Sequence, residues 1–440
     1  MWAPPIGRAI CLTQCGDESR RARAPSKGEL IDLVLRLQRP EKTSRTSSKP
    51  PATDRKEKRE TAKPGGAKPG HEGHSRALSD QPDRVIDHRP QDCPGCGAAL
   101  AADLPAEAIG VHEQIELPPI KPVVEHHRRL SVRCPRCGRT VVAPAAHGTP
   151  FGPRLHAVAT YLKTFQALSY ERLQGAFAEL FGLTISQGGL MNVLRRAQGC
   201  FRAGRDAAVA ALRRAVVVAS DETGVRVEGA TAYHWVFRCE QAVVHQVAPT
   251  RAASVVHAMM AGDRPQVWLS DRYSAQQGHA DAQQTCLAHL ARDVAYACEA
   301  SEDDVPWRLE LWLGSVFDLA RGITTFASST IARKRRALEG ELAAILTAPT
   351  RCDLARDLQG KFRRAWDQLL TFTAFPGAVD VTNNGCERDL RPSVVQCKVT
   401  NGYRSTWAAE GEADVRTVVD TARLGPGPPA FSTILKTVGA

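Results

Sequence analysis

Ala215-Val-Val-Val-Ala-Ser-Asp-Glu-Thr-Gly224 reads as a strand that runs into a turn. The small and branched apolar residues 215–219 fit a buried strand, and the polar residues after them end it beside two carboxylates, Asp221 and Glu222. Toward the C-terminus two more strands are predicted at 233–239 and 242–247, separated by polar turns, which makes a β-meander. A helix over 253–260 and a strand at 266–269 follow. Strand, strand, strand, helix, strand is the order of a mixed α/β core. Residues 305–375 then read as long helices, with Leu309, Trp312, Val316, Leu319 and Ile323 on one seam, so a helical block interrupts that core.

Toward the N-terminus, residues 151–214 carry apolar side chains at helical spacing, among them Leu155, Val158, Leu162, Phe165, Leu173, Phe177 and Leu180. Gly182 reads as a helix stop and Ser186 as the cap of the next helix. Helix, turn, helix suits DNA reading or plain helical packing. Residues 78–146 hold cysteines and two alternating runs, 111–117 and 123–132, which predict a small β module. From 39 to 76 the chain is Lys, Arg, Pro, Gly and Ser with almost no apolar residues, the composition of a flexible basic linker. Before it, Leu30, Leu33 (or Val34) and Leu37 predict a helix over 28–38, either a remnant of a coiled coil or a single short amphipathic helix, since one and a half heptads cannot sustain a zipper.

At 440 residues the chain is expected to fold as more than one domain, and its net charge of +11 favours a polyanionic partner, nucleic acid foremost. Thirteen cysteines, several in C-x-x-C spacing, favour metal binding in a reducing cytosol over a disulfide framework. No secretory signal and no apolar stretch long enough to span a bilayer is present, so a soluble, unprocessed cytoplasmic protein is expected. No P-loop occurs, and His71-Glu-Gly-His74 is one residue short of the metalloprotease spacing.

Cys93-Pro-Gly-Cys96-Gly and Cys134-Pro-Arg-Cys137-Gly are paired knuckles. Together they supply four thiolates to one tetrahedral Zn2+, each glycine permitting the tight turn. Four thiolates leave no open position for water, so this zinc is structural, and His126 and His127 read as strand residues.

Asp221 and Asp271, the latter closing Val267-Trp-Leu-Ser-Asp271, both end apolar strands. Such acids either form turns or share a metal. In Val381-Thr-Asn-Asn-Gly-Cys-Glu387, Asn383 or Asn384 can cap a helix whose first turn carries Glu387, which can then face both aspartates. Three carboxylates suit hard Mg2+ (or Mn2+), and two such ions about 4 Å apart activate the attacking oxygen and stabilise the leaving oxygen in phosphodiester chemistry. Arg388, Arg391 and Lys398 either hold phosphates beside that site or are solvated helix charges. Cys286-Leu-Ala-His289 is either a metal pair or a packing feature.

Several landmarks in order resemble the insertion-sequence-66 family of transposases. They are Ser47-Ser-Lys-Pro-Pro-Ala-Thr-Asp54, Lys68-Pro-Gly-His-Glu-Gly-His74, the paired knuckles, Asp221-Glu-Thr-Gly224, Asp271-Arg-Tyr273, Cys286-Leu-Ala-His289, Asn383-Asn-Gly-Cys-Glu-Arg-Asp-Leu-Arg-Pro392 and Lys398-Val-Thr-Asn-Gly-Tyr-Arg-Ser405. The resemblance implies a multidomain α/β chain: a basic, largely disordered region at 1–78, a zinc-ribbon-like module at 79–146 and a helical DNA-binding or linker region at 147–214. It further implies a ribonuclease H-like mixed-sheet catalytic core at 215–402 with a helical insertion at about 300–376, and a helical tail at 403–440. It implies Asp221, Asp271 and Glu387 as the acidic triad, two Mg2+ ions, one Zn2+, and double-stranded DNA as partner, both the terminal inverted repeats and the target. A homo-oligomer on DNA, accessory proteins from the same element and nucleoid association are implied too. The rivals are a catalytically silent DNA-binding derivative and a ribonuclease H-like nuclease that does not join ends. The chain departs from the family pattern at Cys386, where alanine is usual, at Trp407, where smaller residues are usual, and in its short leucine repeat.

Overall fold

The computed structural model describes residues 39–43, 46, 71–73, 76–144 and 150–439. The helix expected at 28–38, most of the basic stretch 39–76 and the landmarks at 47–54 and 68–70 lie outside the described residues.

A short hairpin, β1 (Ser131–Arg133) and β2 (Thr140–Val142), precedes four helices: α1 (Pro153–Thr164), α2 (Tyr170–Phe181), α3 (Gln187–Gly199) and α4 (Arg202–Arg213). The meander follows as β3 (Val217–Val227), β4 (Ala230–Arg238) and β5 (Val243–Ala248), then α5 (Ala253–Met260), β6 (Val267–Ser270) and β7 (Ala282–Thr285). Helices α6 (Leu287–Ala300), α7 (Asp304–Gly322), α8 (Ser328–Thr347) and α9 (Asp353–Arg364) form the helical block, and α10 (Asn384–Thr400), α11 (Thr406–Ala422) and α12 (Ala430–Val438) close the chain. The strands of the mixed five-stranded sheet run in the order β5-β4-β3-β6-β7. By contacts the described residues fall into a larger unit (those between 71 and 268, with 273–281 and 384–439) and a smaller one (those between 39 and 46, with 269–272 and 282–383).

In the larger unit, β3 and β4 pair antiparallel with Asp221 opposite Val236, and β4 pairs with β5. Alternation along these strands gives each face its own cover. On one face Val218, Trp235, Phe237 and Val244 pack with Val255, Val256 and Met259 of α5. On the other, Ala219, Val236 and Val243 pack with Cys386 and Leu390 of α10. The outer edge of β5 is capped by α11: the amides of Val243 and His245 donate to Thr421 Oγ1 (3.0 Å) and Thr417 Oγ1 (2.9 Å). A helix thus satisfies the donors that an open edge would offer to another strand. The stop and start read at 182–186 are present, with Gly182 at φ 63° and Ser186 Oγ accepting from Gly189 N–H. Of the apolar positions there, Leu173 and Phe177 are buried whereas Leu180 is exposed.

In the smaller unit the α7 seam is buried as its spacing requires. Trp312 donates its indole N–H to Leu338 O (2.9 Å) and meets Phe362 edge-on.

The module between the knuckles differs from expectation. Only 131–132 of the run 123–132 enters a strand, and 111–117 enters none. Val111, Ile115, Leu117, Val123 and Val124 are all exposed. Alternation makes a strand only where a second ladder and a covering layer receive it, and here neither is present among the described residues.

Candidate active site

Asp221 owes its direction to Ala219. Two residues before it on β3, Ala219 packs with Cys386 and Leu390, so by alternation Asp221 projects toward the α10 side. Its Oδ1 accepts the Glu222 N–H at 2.9 Å. Helix α10 begins at Asn384 and carries Glu387 in its first turn, next to fully buried Cys386. The helix is fastened to β4 by Arg238, whose guanidinium meets Asp389 at 2.6 Å. Burial pushes the Asp389 carboxyl up, and the Arg238 charge opposes that. Gly385 lies close against the same Arg238 side chain, where a Cβ would come within 3.1 Å. Asp221 and Glu387 thus sit on elements that pack together within the larger unit. Asp271 follows β6 in the smaller unit, where Ser270 Oγ donates to its carbonyl and neighbouring Arg272 pairs with Asp293 at 3.1 Å.

Along α10, Arg388, Arg391 and Lys398 fall on one exposed stripe with Val395 between them, because the steps of three, four and three residues follow the helical repeat.

Both knuckles are formed alike. Cys93 N–H bonds Ala98 O and Gly97 N–H returns to Cys93 O; Cys134 and Gly138 repeat this with Arg139. Gly97 (φ 72°) and Gly138 (φ 70°) occupy the left-handed region that glycine tolerates. Backbone amides of Gly95 and Cys96 aim at Cys93 and lower its thiol, as those of Cys137 and Arg136 lower that of Cys134. Such donors favour a thiolate, the form that binds zinc. Among the described residues no group of three or more His, Cys, Asp or Glu side chains is gathered for an ion, so each half-site stands ready but the two are not joined.

A family model described as zinc-finger binding domain of transposase IS66 matches residues 90–138, spanning both knuckles. A second, Transposase IS66 family, matches residues 148–411, more than half of the chain. The chain belongs to the IS66 transposase family. Among curated proteins, none matches it. IS66 membership supports a transposase role and DNA binding, and the knuckle match supports structural zinc. Among the described residues no helix is long and apolar enough to cross a membrane.

Two IS66 landmarks carry architecture. In Asn401-Gly402-Tyr403 the first two residues are left-handed (φ 56° and 88°), and a Cβ on Gly402 would collide with Arg226 O. That turn lets Tyr403 pair with β3, its N–H on Arg226 O (2.8 Å) and its carbonyl taking Glu228 N–H (2.9 Å). The C-terminal end of α10 is thereby tied to the strand that bears Asp221. In the smaller unit Cys286 begins α6, and its Sγ accepts the Asn383 N–H at 3.1 Å. This thiol joins the start of α6 to the segment before Glu387.

Sequence reasoning missed the polar interior of the larger unit. Arg416, fully buried, donates to Glu412 (3.0 Å), Gln396 (2.7 Å) and Thr164 O (2.8 Å), and Tyr403 OH donates to Glu412 (3.1 Å). Burial drives the Tyr403 phenol well above its ordinary range. The one available signal was an acid and an arginine four residues apart on an otherwise apolar helix face. On the opposite face of β3, Glu222 is clamped by Arg251 (2.6 Å) and Gln276, and the Arg251 guanidinium lies 3.8 Å from the centroid of the Tyr273 ring.

Proposed function

We propose that this chain is a DNA transposase that cleaves the terminal inverted repeats of its element and joins the freed 3′-OH ends to target DNA, with Asp221, Asp271 and Glu387 as the ligands of two Mg2+ (or Mn2+) ions. The observation that carries this is the packing of Ala219 on Cys386 and Leu390, which turns the strand of Asp221 and the helix turn of Glu387 toward each other. Asp271 joins them in this reading as the acid that directly follows β6, the strand next to β3 in the sheet order. Bound ions of this kind activate the attacking oxygen and stabilise the leaving one. The protein's part is to hold the carboxylates in register, through the Arg238–Asp389 pair and the Tyr403 tie, and to hold DNA through Arg388, Arg391 and Lys398. In cleavage, water attacks phosphorus and the 3′-oxygen leaves. In joining, that 3′-oxygen attacks a target phosphorus and displaces the target's own 3′-oxygen.

The sheet order, the helical block between β7 and α10, and the strand-borne acids support a ribonuclease H-like core over 215–402, with the zinc module at 79–146 and the helices of 147–214 as DNA-holding parts. Cys93, Cys96, Cys134 and Cys137 hold one structural Zn2+, a role their amide-cradled thiols fit. Action on double-stranded DNA in the cytoplasm, as a homo-oligomer with element-encoded accessory proteins, completes the reading.

Asp271→Asn is expected to abolish Mg2+-dependent strand cleavage while binding to terminal repeats stays within about twofold, because one ligand oxygen is replaced by an amide of equal size. Retained cleavage refutes the triad. A wild-type protein that binds but never nicks is the silent derivative, and one that nicks yet fails to join pre-cut ends is a nuclease.

A further inference from the structure

On the α5 face of β3, beyond Val218, the side chains turn polar. Ser220 and Glu222 share that face by alternation and flank Asp221, which projects to the other side. Ser220, Trp268 and Gln276 are fully buried, and the Glu222 side chain almost so. Apolar side chains of like volume commonly fill such a space no less stably, so stability alone does not call for these groups.

Their hydrogen bonds run in one direction. Trp268 gives its indole N–H to Ser220 Oγ (2.9 Å), Ser220 gives its hydroxyl hydrogen to Gln276 Oε1, and Gln276 gives an amide N–H to Glu222 Oε2. Arg251 meets the other carboxylate oxygen, Oε1, at 2.6 Å. Its guanidinium lies 3.8 Å from the centroid of the Tyr273 ring and 5.8 Å from that of Tyr233. Each of these donors has an acceptor, and the relay ends on a charge that can accept several. Turning the Gln276 amide over would set its oxygen against the Glu222 carboxylate, so a network satisfied in this way holds one arrangement.

Its members bracket both aspartates. Trp268 precedes Asp271 by three residues, Tyr273 and Gln276 follow it by two and five, and Ser220 and Glu222 adjoin Asp221 on either side. Trp268, Tyr273, Gln276, Ser220, Glu222 and Arg251 all belong to the larger unit, so the bracket is closed within it. The chain before and after Asp271 is thus bonded to the residues before and after Asp221. Carboxylates that bind metal depend on such outer support, because it sets the direction in which their oxygens point.

We propose that Ser220, Gln276 and Glu222 are positioning residues: they hold Asp221 and Asp271 in the register that the metal pair requires, and touch neither the ions nor the DNA. The inference rests on the triad reading and adds to it a support on the far side of the sheet.

The test uses the full chain, zinc-loaded, with Mn2+ alone as the probe. Binding is followed by loss of the free-ion electron paramagnetic resonance signal, and Asp221→Asn marks which ions belong to the triad. Gln276→Met keeps the volume but cuts the relay, and is expected to weaken Asp221-dependent Mn2+ binding by about tenfold or more, the usual cost of losing a group that orients a ligand. Gln276→Glu, which faces the Glu222 carboxylate with another, should weaken it at least as much. Adding Glu222→Gln to that variant exchanges the two groups. The carboxylate at 276 then takes the Ser220 hydroxyl and the new amide N–H, the amide oxygen at 222 takes Arg251, and most of the affinity should return. Mg2+-dependent cleavage should follow the same order. A relay that is scaffolding alone would lower the melting temperature of Gln276→Met and leave the Mn2+ affinity of its folded chains unchanged, which overturns the proposal. An exchanged chain that folds but binds Mn2+ no better than Gln276→Glu alone overturns it too. Wild-type protein with no Mn2+ site sensitive to Asp221→Asn removes the triad reading itself, and the inference with it.

Discussion

The knuckle segment at 90–142 and the sheet with α10 and α11 are organised by opposite means. In the segment each turn is closed by a few backbone hydrogen bonds, and Val111, Leu117, Val123 and Val141 lie exposed. In the body even charge is interior: Arg416 and Glu412 lie beneath Phe165, Tyr403 and Gln396 with almost no exposure. A segment with so little apolar burial cannot offset its own ordering entropy and must take its stability from a ligand. The body takes its stability from burial and then has to satisfy every polar group it encloses.

The largest effect expected from this contrast is that of metal removal. Zinc-loaded protein should carry one Zn2+ per chain, and a chelator should abolish amide protection across 90–142 while leaving the unfolding midpoint of the body where it was. Hydrogen exchange followed by peptide mapping checks both at once; a body midpoint that falls together with the segment would show the two to be one cooperative unit. Next in size is Glu412→Ala, which leaves the Arg416 guanidinium buried without its carboxylate and should cost about 3–5 kcal/mol in denaturant titrations. Replacing the pair together, Glu412→Leu with Arg416→Met, should cost much less. Should the single and double variants cost the same, the pair is not what the interior is built around.

The same contrast explains what the sequence could disclose. Where burial dominates, pattern reading works: α5 falls on 253–260, the α7 seam is buried, and Ser186 caps α3. Where side chains bond to the backbone instead, it fails. Strand β7, Ala-Gln-Gln-Thr, has no apolar rhythm, and Gln284 holds it by accepting Phe372 N–H (2.9 Å) while Thr371 donates to Gln283 O (2.7 Å). The runs 111–117 and 123–130 have the rhythm but no second layer. For the candidate site, Asp221 and Asp271 were legible as candidates because an apolar run stops at each, but Asp221 does not end its strand as expected: β3 continues to Val227, carried past the polar residues by its pairing with β4. The side to which Asp221 projects was not legible, because it depends on which helix covers Ala219, a contact between residues 219 and 386 that no local pattern records.

A smaller effect is expected at the turn that ties α10 to β3. Gly402→Ala places a Cβ against Arg226 O at a φ of 88°, and should cost about 1–3 kcal/mol by thermal unfolding, with no change in zinc content. An unchanged melting temperature would mean that the Tyr403 tie can be remade in another backbone conformation.

The smallest expected effect is a pH dependence confined to the body. His234 is fully buried, its Nε2 3.0 Å from His245 Nδ1, and His245 Nε2 is 3.1 Å from Asp420 Oδ2. A carboxylate only accepts, so in the neutral pair His245 Nε2–H donates to Asp420 and the His245 Nδ1 lone pair accepts from His234 Nε2–H. Burial first, then the charges of His245 and Arg416, hold His234 well below its ordinary value of 6.5. As pH falls below 6.5 the unfolded chain takes up a proton at this residue and the folded chain does not. Stability therefore falls with pH there, by at most about 1.4 kcal/mol per pH unit from this group, and is unaffected by it at higher pH, where both states are neutral. His234→Gln keeps an N–H toward His245 but cannot titrate, so its stability deficit relative to wild type should shrink as pH is lowered from about 7.5 to about 5.5 in denaturant titrations. A deficit that stays constant across that window would mean the imidazole is not held neutral by its surroundings, and that the polar interior is more accessible to water than its burial implies.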